Sequence, residues 1–242
     1  MDSITTRTSS STGAAADRAD ADPVGVVPAA GHGTRLGRLE TSKETIHVGG
    51  KPVLAYLVER MRAAGPREIR VVTRPEKRDV AEEAERLGAT VVTGRPPSVA
   101  ASLLLGLSGL SDGDEVLFGF PDTVWEPHDG FVLVLRELRR SPDTAVVLGL
   151  FTTPDLTRSD VVELASDGSV RAIDVKPHAP RSARVWGCLA ARAGVLRGIE
   201  GHDEPGRWLH DLAREGGVRG VELGAFRDIG TPEALRDVVE ST

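Results

Sequence analysis

The chain has 242 residues, of which 40% are hydrophobic and 27% charged, and its formal net charge is −6. This composition is typical of a globular domain with a large core, and the acidic balance argues against a general nucleic-acid binder. A single cysteine excludes an intramolecular disulfide framework and a four-cysteine zinc site. No apolar run approaches the roughly 18 residues that a membrane span needs. We therefore expect neither nucleic acid nor a membrane as a partner.

Residues 1–22 differ in composition from the rest of the chain. They are rich in Ser, Thr, Ala and Asp and contain no large apolar cluster, which predicts a disordered tail. The segment lacks the apolar core of a secretory signal, and its acidic residues argue against a transit peptide. The resulting expectation is a cytoplasmic protein whose residues 23–242 form one domain.

The first half of that domain alternates short apolar runs with amphipathic stretches. This alternation predicts right-handed crossovers and a mainly parallel sheet. The predicted strands cover residues 24–27, 69–72, 90–93, 115–118 and 144–150. The predicted helices cover residues 52–64, 76–87, 99–107 and 131–139.

The second half has a different rhythm. Two apolar runs, 161–164 and 170–173, flank Asp167-Gly168, which is a hairpin signal. A further strand is predicted at 185–190, and helices are predicted at 208–214 and 232–239. This half is expected to add antiparallel strands and to cover one side of a cleft.

The loop after the first strand has the composition of a phosphate-binding loop. Ligands of parallel sheets bind where loops leave the carboxyl ends of strands, and small residues let backbone N–H groups approach a phosphate. Arg35 adds a planar fork that matches phosphate oxygens, and Lys43 adds a second cation. The alternative is a glycine-rich turn flanked by surface cations. The residues expected to contact the phosphates are Ala29, Ala30, Gly31, Gly33, Thr34 and Arg35.

The loop matches neither of two common nucleotide-binding patterns. A dinucleotide fingerprint would need a third glycine where Leu36 stands, and no Gly-Lys-Ser/Thr of a P-loop follows. The run from Gly31 to Leu36, with Ser42-Lys43 and Lys51-Pro52, instead resembles the signature of the sugar-1-phosphate nucleotidylyltransferases, which include glucose-1-phosphate thymidylyltransferases. Four later segments resemble motifs of the same family: 118–122, Lys176-Pro177, Trp186-Gly187 and 228–233.

The resemblance implies a Rossmann-like α/β nucleotidyltransferase fold with helices on both faces of the sheet. It implies transfer of a nucleoside monophosphate from a nucleoside triphosphate to a sugar 1-phosphate, giving an NDP-sugar and pyrophosphate. Arg35 would hold the leaving phosphates, and Lys43 would stabilise the α-phosphate. Lys176 would bind the sugar phosphate, Gly187 would lie in the sugar site, and Asp122 and Asp228 would hold Mg²⁺.

Simple chemistry supports the two aspartates independently. Magnesium prefers one or two carboxylates and keeps its other positions for water and phosphate. Asp122 follows a predicted strand, where the alternative role is that of a turn residue. Asp228 precedes a predicted helix, but Thr231 and Pro232 already suit the start of that helix. Asp228 is therefore available for a metal ion.

The chain departs from the family signature at several places, including Arg38, which stands where the family has a proline, and a short spacing from Arg35 to Lys43. The expected base-reading segment is represented by residues 98–102, which lack a glutamine, and Val175 replaces an acidic residue before Lys176. Contacts to the base and to sugar hydroxyls are therefore expected to differ.

Outside the motifs, Cys188 is expected to be a small buried apolar residue, and the charged stretch 76–86 is expected to be a solvated helix face.

Two alternative functions stay open at this point. The opening V-P-A-A-G-x-G-x-R also resembles methylerythritol-phosphate cytidylyltransferases, although residues 118–127 contain nothing similar to their second motif. The other alternative is a non-catalytic module that binds a nucleotide or sugar phosphate, whose mark would be the loss of Arg35, Asp122 or Asp228. All three residues are present. The sequence also leaves the base, the sugar and a homo-oligomer open.

Overall fold

The structure is a computed structural model that describes residues 22–31, 41–153 and 156–228. The predicted tail and the predicted helix at 232–239 lie outside these ranges. None of the helices in the described part of the chain is long and apolar enough to cross a membrane.

A ten-stranded sheet forms the centre of the fold in the described residues. The strands are β1 (Val24–Pro28), β2 (His47–Val48), β3 (Lys51–Pro52), β4 (Glu68–Thr73), β5 (Thr90–Thr93), β6 (Glu115–Gly119), β7 (Thr123–Trp125), β8 (Val146–Thr152), β9 (Val161–Leu164), β10 (Val170–Asp174), β11 (Arg184–Arg192) and β12 (Val218–Asp228). The main strand order of the sheet is β5-β4-β1-β6-β11-β8-β12-β7. Strand β9 joins this sheet through β11 and pairs with β10, and β2 and β3 form a separate two-stranded sheet.

Parallel pairing dominates the first half of the chain. Strand β1 runs parallel to β4 and β6, and β4 runs parallel to β5. The second half contributes the antiparallel strands: β11 is antiparallel to both β6 and β8, and β9 pairs with β10 as the predicted hairpin. The prediction of a mainly parallel sheet with antiparallel additions is confirmed.

Helices cover both faces of the sheet. The helices are α1 (Val53–Ala63), α2 (Arg78–Arg86), α3 (Val99–Gly106), α4 (Gly130–Arg140), α5 (Ala193–Arg197) and α6 (Pro205–Arg214). Neighbouring residues of β1 point to opposite faces, so that Val26 belongs to the core layer that contains α3 and α6, while Val27 belongs to the layer that contains α1, α2 and α4. Burial of one leucine in either layer, such as Leu57 or Leu103, stabilises the fold by about 1.5–3 kcal/mol.

The long strand β12 is not predicted from the sequence. A register shift between Glu222 and Gly224 breaks its apolar alternation, because a bulge moves the later residues to the other face. Gly224 is required by a close approach, since a Cβ there would lie 2.8 Å from the Glu126 carbonyl oxygen. Asp228, which was expected just before a helix, is the last residue of β12.

Candidate functional site

The candidate site begins where β1 and β6 end. These strands are parallel neighbours, so their carboxyl ends lie at the same edge of the sheet. Residues 29–31 leave β1 there, and the Ala29 amide donates to the Val72 carbonyl oxygen of the adjacent β4 at 2.8 Å. Asp122 follows β6 at the same edge. The sheet thus places the predicted phosphate loop and the first predicted metal ligand side by side.

Two cations from the segment after β4 hold the loop in place. Lys77 Nζ donates to the carbonyl oxygens of Ala29 and Gly31 at 2.8 and 3.2 Å. Arg74 Nε donates to the Ala30 carbonyl oxygen at 2.6 Å. Three successive carbonyl groups are therefore turned toward positive charges. The same charges make the loop a favourable place for an anion.

A buried carboxylate fixes Lys77 from below. Glu44 is 0% exposed, and its Oε2 accepts from Lys77 Nζ at 2.7 Å. Burial raises the pKa of Glu44, and the positive charge of Lys77 opposes that shift. The other oxygen, Oε1, is buried without a hydrogen-bond partner among the described residues. Burying this ion pair costs desolvation free energy, and the pair holds the Lys77 ammonium in one position.

The turn that carries Lys43 is anchored to α2. The Ser42 amide and hydroxyl donate to the two carboxylate oxygens of Asp79 at 2.6 and 2.9 Å, and the Thr45 hydroxyl adds a third bond at 3.1 Å. Burial alone would raise the pKa of Asp79, but these hydrogen bonds lower it below its ordinary value. The next residue in the chain after Ser42 is Lys43, whose position is set by this anchor.

Lys43 and Asp122 meet across the site although they are 79 residues apart in the sequence. Lys43 Nζ lies 2.5 Å from Asp122 Oδ2, and the two side chains are 21% and 20% exposed. Both groups remain accessible to a ligand while neutralising each other's charge. Arg35, Gly33 and Thr34 lie outside the described residues.

The second predicted metal ligand is brought close by β12. In the antiparallel pairing of β12 with β7, Asp228 lies opposite Thr123, the residue after Asp122. This register places the two backbone positions at one point of the sheet edge. Among the residues whose side chains are described, no group of three or more His, Cys, Asp or Glu could hold a metal ion. The magnesium site stays a prediction.

The residues predicted to bind the acceptor lie in the second half. Lys176 has a φ of 44°, which is uncommon for a non-glycine residue. Its ammonium lies 2.5 Å from Glu204 Oε1, and this hydrogen bond lowers the pKa of Glu204. Gly187 lies in β11 at a register shift between Trp186 and Cys188. The shift bends the strand next to the Trp186 ring.

An aromatic contact joins this region to the loop that carries Asp122. The Phe120 and Trp186 rings have centroids 5.1 Å apart, and Phe118 contacts Phe120 at 5.5 Å. Trp186 is buried. The segment that carries Asp122 and the segment around Gly187 therefore share an aromatic contact.

Three charged residues of the site were not singled out from the sequence: Glu44, Arg74 and Lys77. The expectation that stretch 76–86 is a solvated helix face is wrong for Lys77, because its ammonium binds inward to Glu44 and to loop carbonyls. The available signal was a pair of cations, one and four residues after the strand that flanks the predicted phosphate loop. Cys188 is buried, and burial raises its thiol pKa strongly, which confirms its expected apolar role.

Solved structures share this fold. Two structures of UDP-glucose pyrophosphorylase from Acinetobacter baumannii, one of them UTP-bound, superpose with TM-scores of 0.75 and 0.73 at 18% sequence identity. The alignments cover 90% and 91% of this chain and 92% and 93% of those chains. The profile of the MobA-like NTP transferase domain matches residues 25–164, and the chain belongs to that family.

Curated relatives agree with the resemblance found in the sequence. A glucose-1-phosphate thymidylyltransferase of Streptomyces griseus is 28% identical over 246 residues, which covers 90% of this chain and 66% of that protein. The corresponding protein of Streptomyces antibioticus is 28% identical over 165 residues, covering 65% of this chain and 46% of the relative. The bifunctional protein GlmU of Rhodopseudomonas palustris is 32% identical over 71% of this chain and 37% of its own length. The chain thus spans about a third to two-thirds of the curated relatives' length.

Proposed function

We propose that the protein transfers a nucleoside monophosphate from a nucleoside triphosphate to a sugar 1-phosphate, releasing pyrophosphate. One observation carries the proposal: a loop backed by Arg74 and Lys77 faces the same sheet edge as the Lys43–Asp122 pair. Positive groups on a phosphate loop next to an accessible carboxylate are what transfer at a phosphate requires. The names of the curated relatives support a sugar 1-phosphate as the acceptor.

The donor's phosphates would lie on the loop formed by residues 29–35. Small residues allow close approach of the backbone, and Arg35 would hold the phosphates that leave as pyrophosphate. Lys43 would leave Asp122 and contact the α-phosphate instead. This exchange needs no large movement, because both side chains are accessible at the edge of the sheet. The cations behind the loop keep its shape during this exchange.

Asp122 and Asp228 would hold Mg²⁺. Asp122 is a partly exposed carboxylate at a strand end, and residue 228 lies opposite the residue next to it, which fits an ion that takes one or two carboxylates. Bound there, the ion supplies charge neutralisation on the reacting phosphates.

The acceptor would approach from the second half of the chain. Lys176 would bind the phosphate of the sugar 1-phosphate, and the segment around Gly187 would contact the sugar. A phosphate oxygen of the acceptor attacks the α-phosphorus in line, and pyrophosphate leaves on the opposite side. The residues contribute mainly by positioning the two substrates and by compensating charge.

The test is a panel of nucleoside triphosphates against sugar 1-phosphates with magnesium, followed by pyrophosphate release. We expect release with one or a few pairs, and a loss of orders of magnitude for Lys43→Met. Arg95→Met is the matched control, because Arg95 forms an exposed ion pair with Glu76. Release with methylerythritol phosphate alone, or nucleotide binding without release for any acceptor, would refute the proposal in favour of the two alternatives.

A further inference from the structure

A second carboxylate lies in the acceptor region and has no part in the reaction as proposed above. Asp160 immediately precedes β9, and its Oδ2 accepts from the Trp186 indole nitrogen at 3.3 Å. Its Oδ1 is buried and has no hydrogen-bond partner among the described residues. Burial raises the pKa of Asp160, although the bond from Trp186 and the charge of Lys176 oppose the shift. A buried unpaired oxygen is costly and calls for a partner.

A glycine in helix α6 leaves space for this carboxylate. Gly206 lies in the first turn of α6, where glycine has a lower helix propensity than alanine. A Cβ at Gly206 would overlap Asp160 Oδ2 and would lie 3.0 Å from Val175 Cγ2. The glycine therefore preserves the position of the carboxylate, with an apolar wall beside it.

The surroundings place Asp160 between the two halves of the candidate site. The positive charge of Lys176 acts on Asp160 and opposes the rise that burial causes in the pKa of its carboxyl group. On the other side, Trp186 connects Asp160 to Phe120, two residues before Asp122. A molecule that reaches from the Lys176 ammonium toward the Asp122 loop would pass along this carboxylate.

We propose, as an extension of the proposed function, that Asp160 Oδ1 accepts a hydrogen bond from a ring hydroxyl of the sugar 1-phosphate. Trp186 fixes the orientation of the carboxylate through Oδ2, and Oδ1 is the buried oxygen that would receive the hydroxyl of the bound acceptor. A carboxylate oxygen accepts hydrogen bonds, so its partner must be a donor, and the ring hydroxyls of a sugar 1-phosphate are donors. Asp160 is thereby a residue that determines acceptor specificity. A site that hydrogen-bonds a hydroxyl rejects analogues lacking it, since its own polar group is left unpaired.

The experiment measures pyrophosphate release with the best sugar 1-phosphate and with its single-deoxy analogues. For the wild-type protein we expect one deoxy analogue to lose about 10- to 100-fold in kcat/KM, the range for one hydrogen bond to a charged group. Asp160→Asn is expected to lose a similar factor with the full sugar and to treat that analogue and the full sugar nearly alike. The KM for the nucleoside triphosphate is expected to stay within about twofold of the wild-type value, since Asp160 lies outside the donor loop.

Two further variants make the result decisive. Gly206→Ala is expected to displace the carboxylate and to reproduce the selective loss for the acceptor, which covers the case in which Asp160→Asn fails to fold. Asp143→Asn, at an exposed carboxylate in the loop before β8, is expected to behave as wild type. If Asp160→Asn keeps the wild-type preference among the deoxy analogues, the inference is wrong while the proposed function stands. If the wild-type protein releases no pyrophosphate with any sugar 1-phosphate, both are wrong.

Discussion

Replacing Lys77 by methionine tests whether the ion pair beneath the loop determines the loop's position. The change leaves Glu44 as a buried carboxylate at 0% exposure without its cation. Removing one partner of a buried pair costs about 3–5 kcal/mol. At about 2–4 °C per kcal/mol for a chain of this size, Tm is expected to fall by roughly 6–20 °C. Calorimetry of the wild type and Lys77→Met measures this difference.

A double variant separates the loss of stability from the loss of loop position. Adding Glu44→Gln to Lys77→Met removes the uncompensated charge, so most of the stability is expected to return. The donors to the Ala29 and Gly31 carbonyl oxygens stay absent. The double variant should therefore keep a raised KM for the nucleoside triphosphate despite near-normal Tm. Full recovery of both quantities would show that Lys77 acts through stability alone.

The pH dependence of stability gives an independent check on the same pair. Burial raises the pKa of Glu44 above its ordinary value of 4.5 in the folded protein. The folded state therefore binds this proton more tightly than the unfolded state, and the contribution of Glu44 becomes less favourable as pH rises above 4.5. Without Lys77 the shift is larger, so the stability gap between Lys77→Met and the wild type should narrow as pH falls toward 4.5. A gap that is independent of pH in urea unfolding would refute the reasoning.

The remaining predictions concern the proposed site and the core. Asp122→Asn and Asp228→Asn should each lower turnover by orders of magnitude. The double variant should lose little more turnover than the worse single variant, because the two residues act as a unit. If instead the two losses of turnover multiply and the magnesium dependence of pyrophosphate release is unchanged, a shared ion is excluded. Arg35→Lys keeps the charge but loses the bidentate fork, so turnover should drop sharply at unchanged Tm, and near wild-type turnover would remove Arg35 from the phosphate site. Cys188 should not react with a thiol reagent until the protein is unfolded by denaturant, and fast labelling of the native protein would contradict its burial.

Local patterns in the sequence were sufficient to predict the strands that carry the site and the loops that follow them. Strand and helix periodicities predicted the parallel half of the sheet, because side chains repeat every two residues in a strand and every 3.6 in a helix. Asp167-Gly168 predicted the β9–β10 hairpin, since Gly168 takes the positive φ of 83° that a tight turn requires. The loop after β1 and Asp122 were found because both follow apolar strands at the carboxyl edge.

Long-range packing decided what the local patterns could not. A lysine and a glutamate have the same local signature whether they face water or each other, so the burial of the Glu44–Lys77 pair depends on segments that meet only in the fold. The bulge in β12 interrupts the alternation of apolar residues by which a strand is predicted from sequence. The pairing of β12 with β7 nevertheless places Asp228 opposite Thr123. The sequence by itself thus determined most elements of the parallel half of the sheet and the motifs that they carry. Only the tertiary structure determined which charges are desolvated and which distant residues become neighbours, because both depend on contacts between segments far apart in the chain.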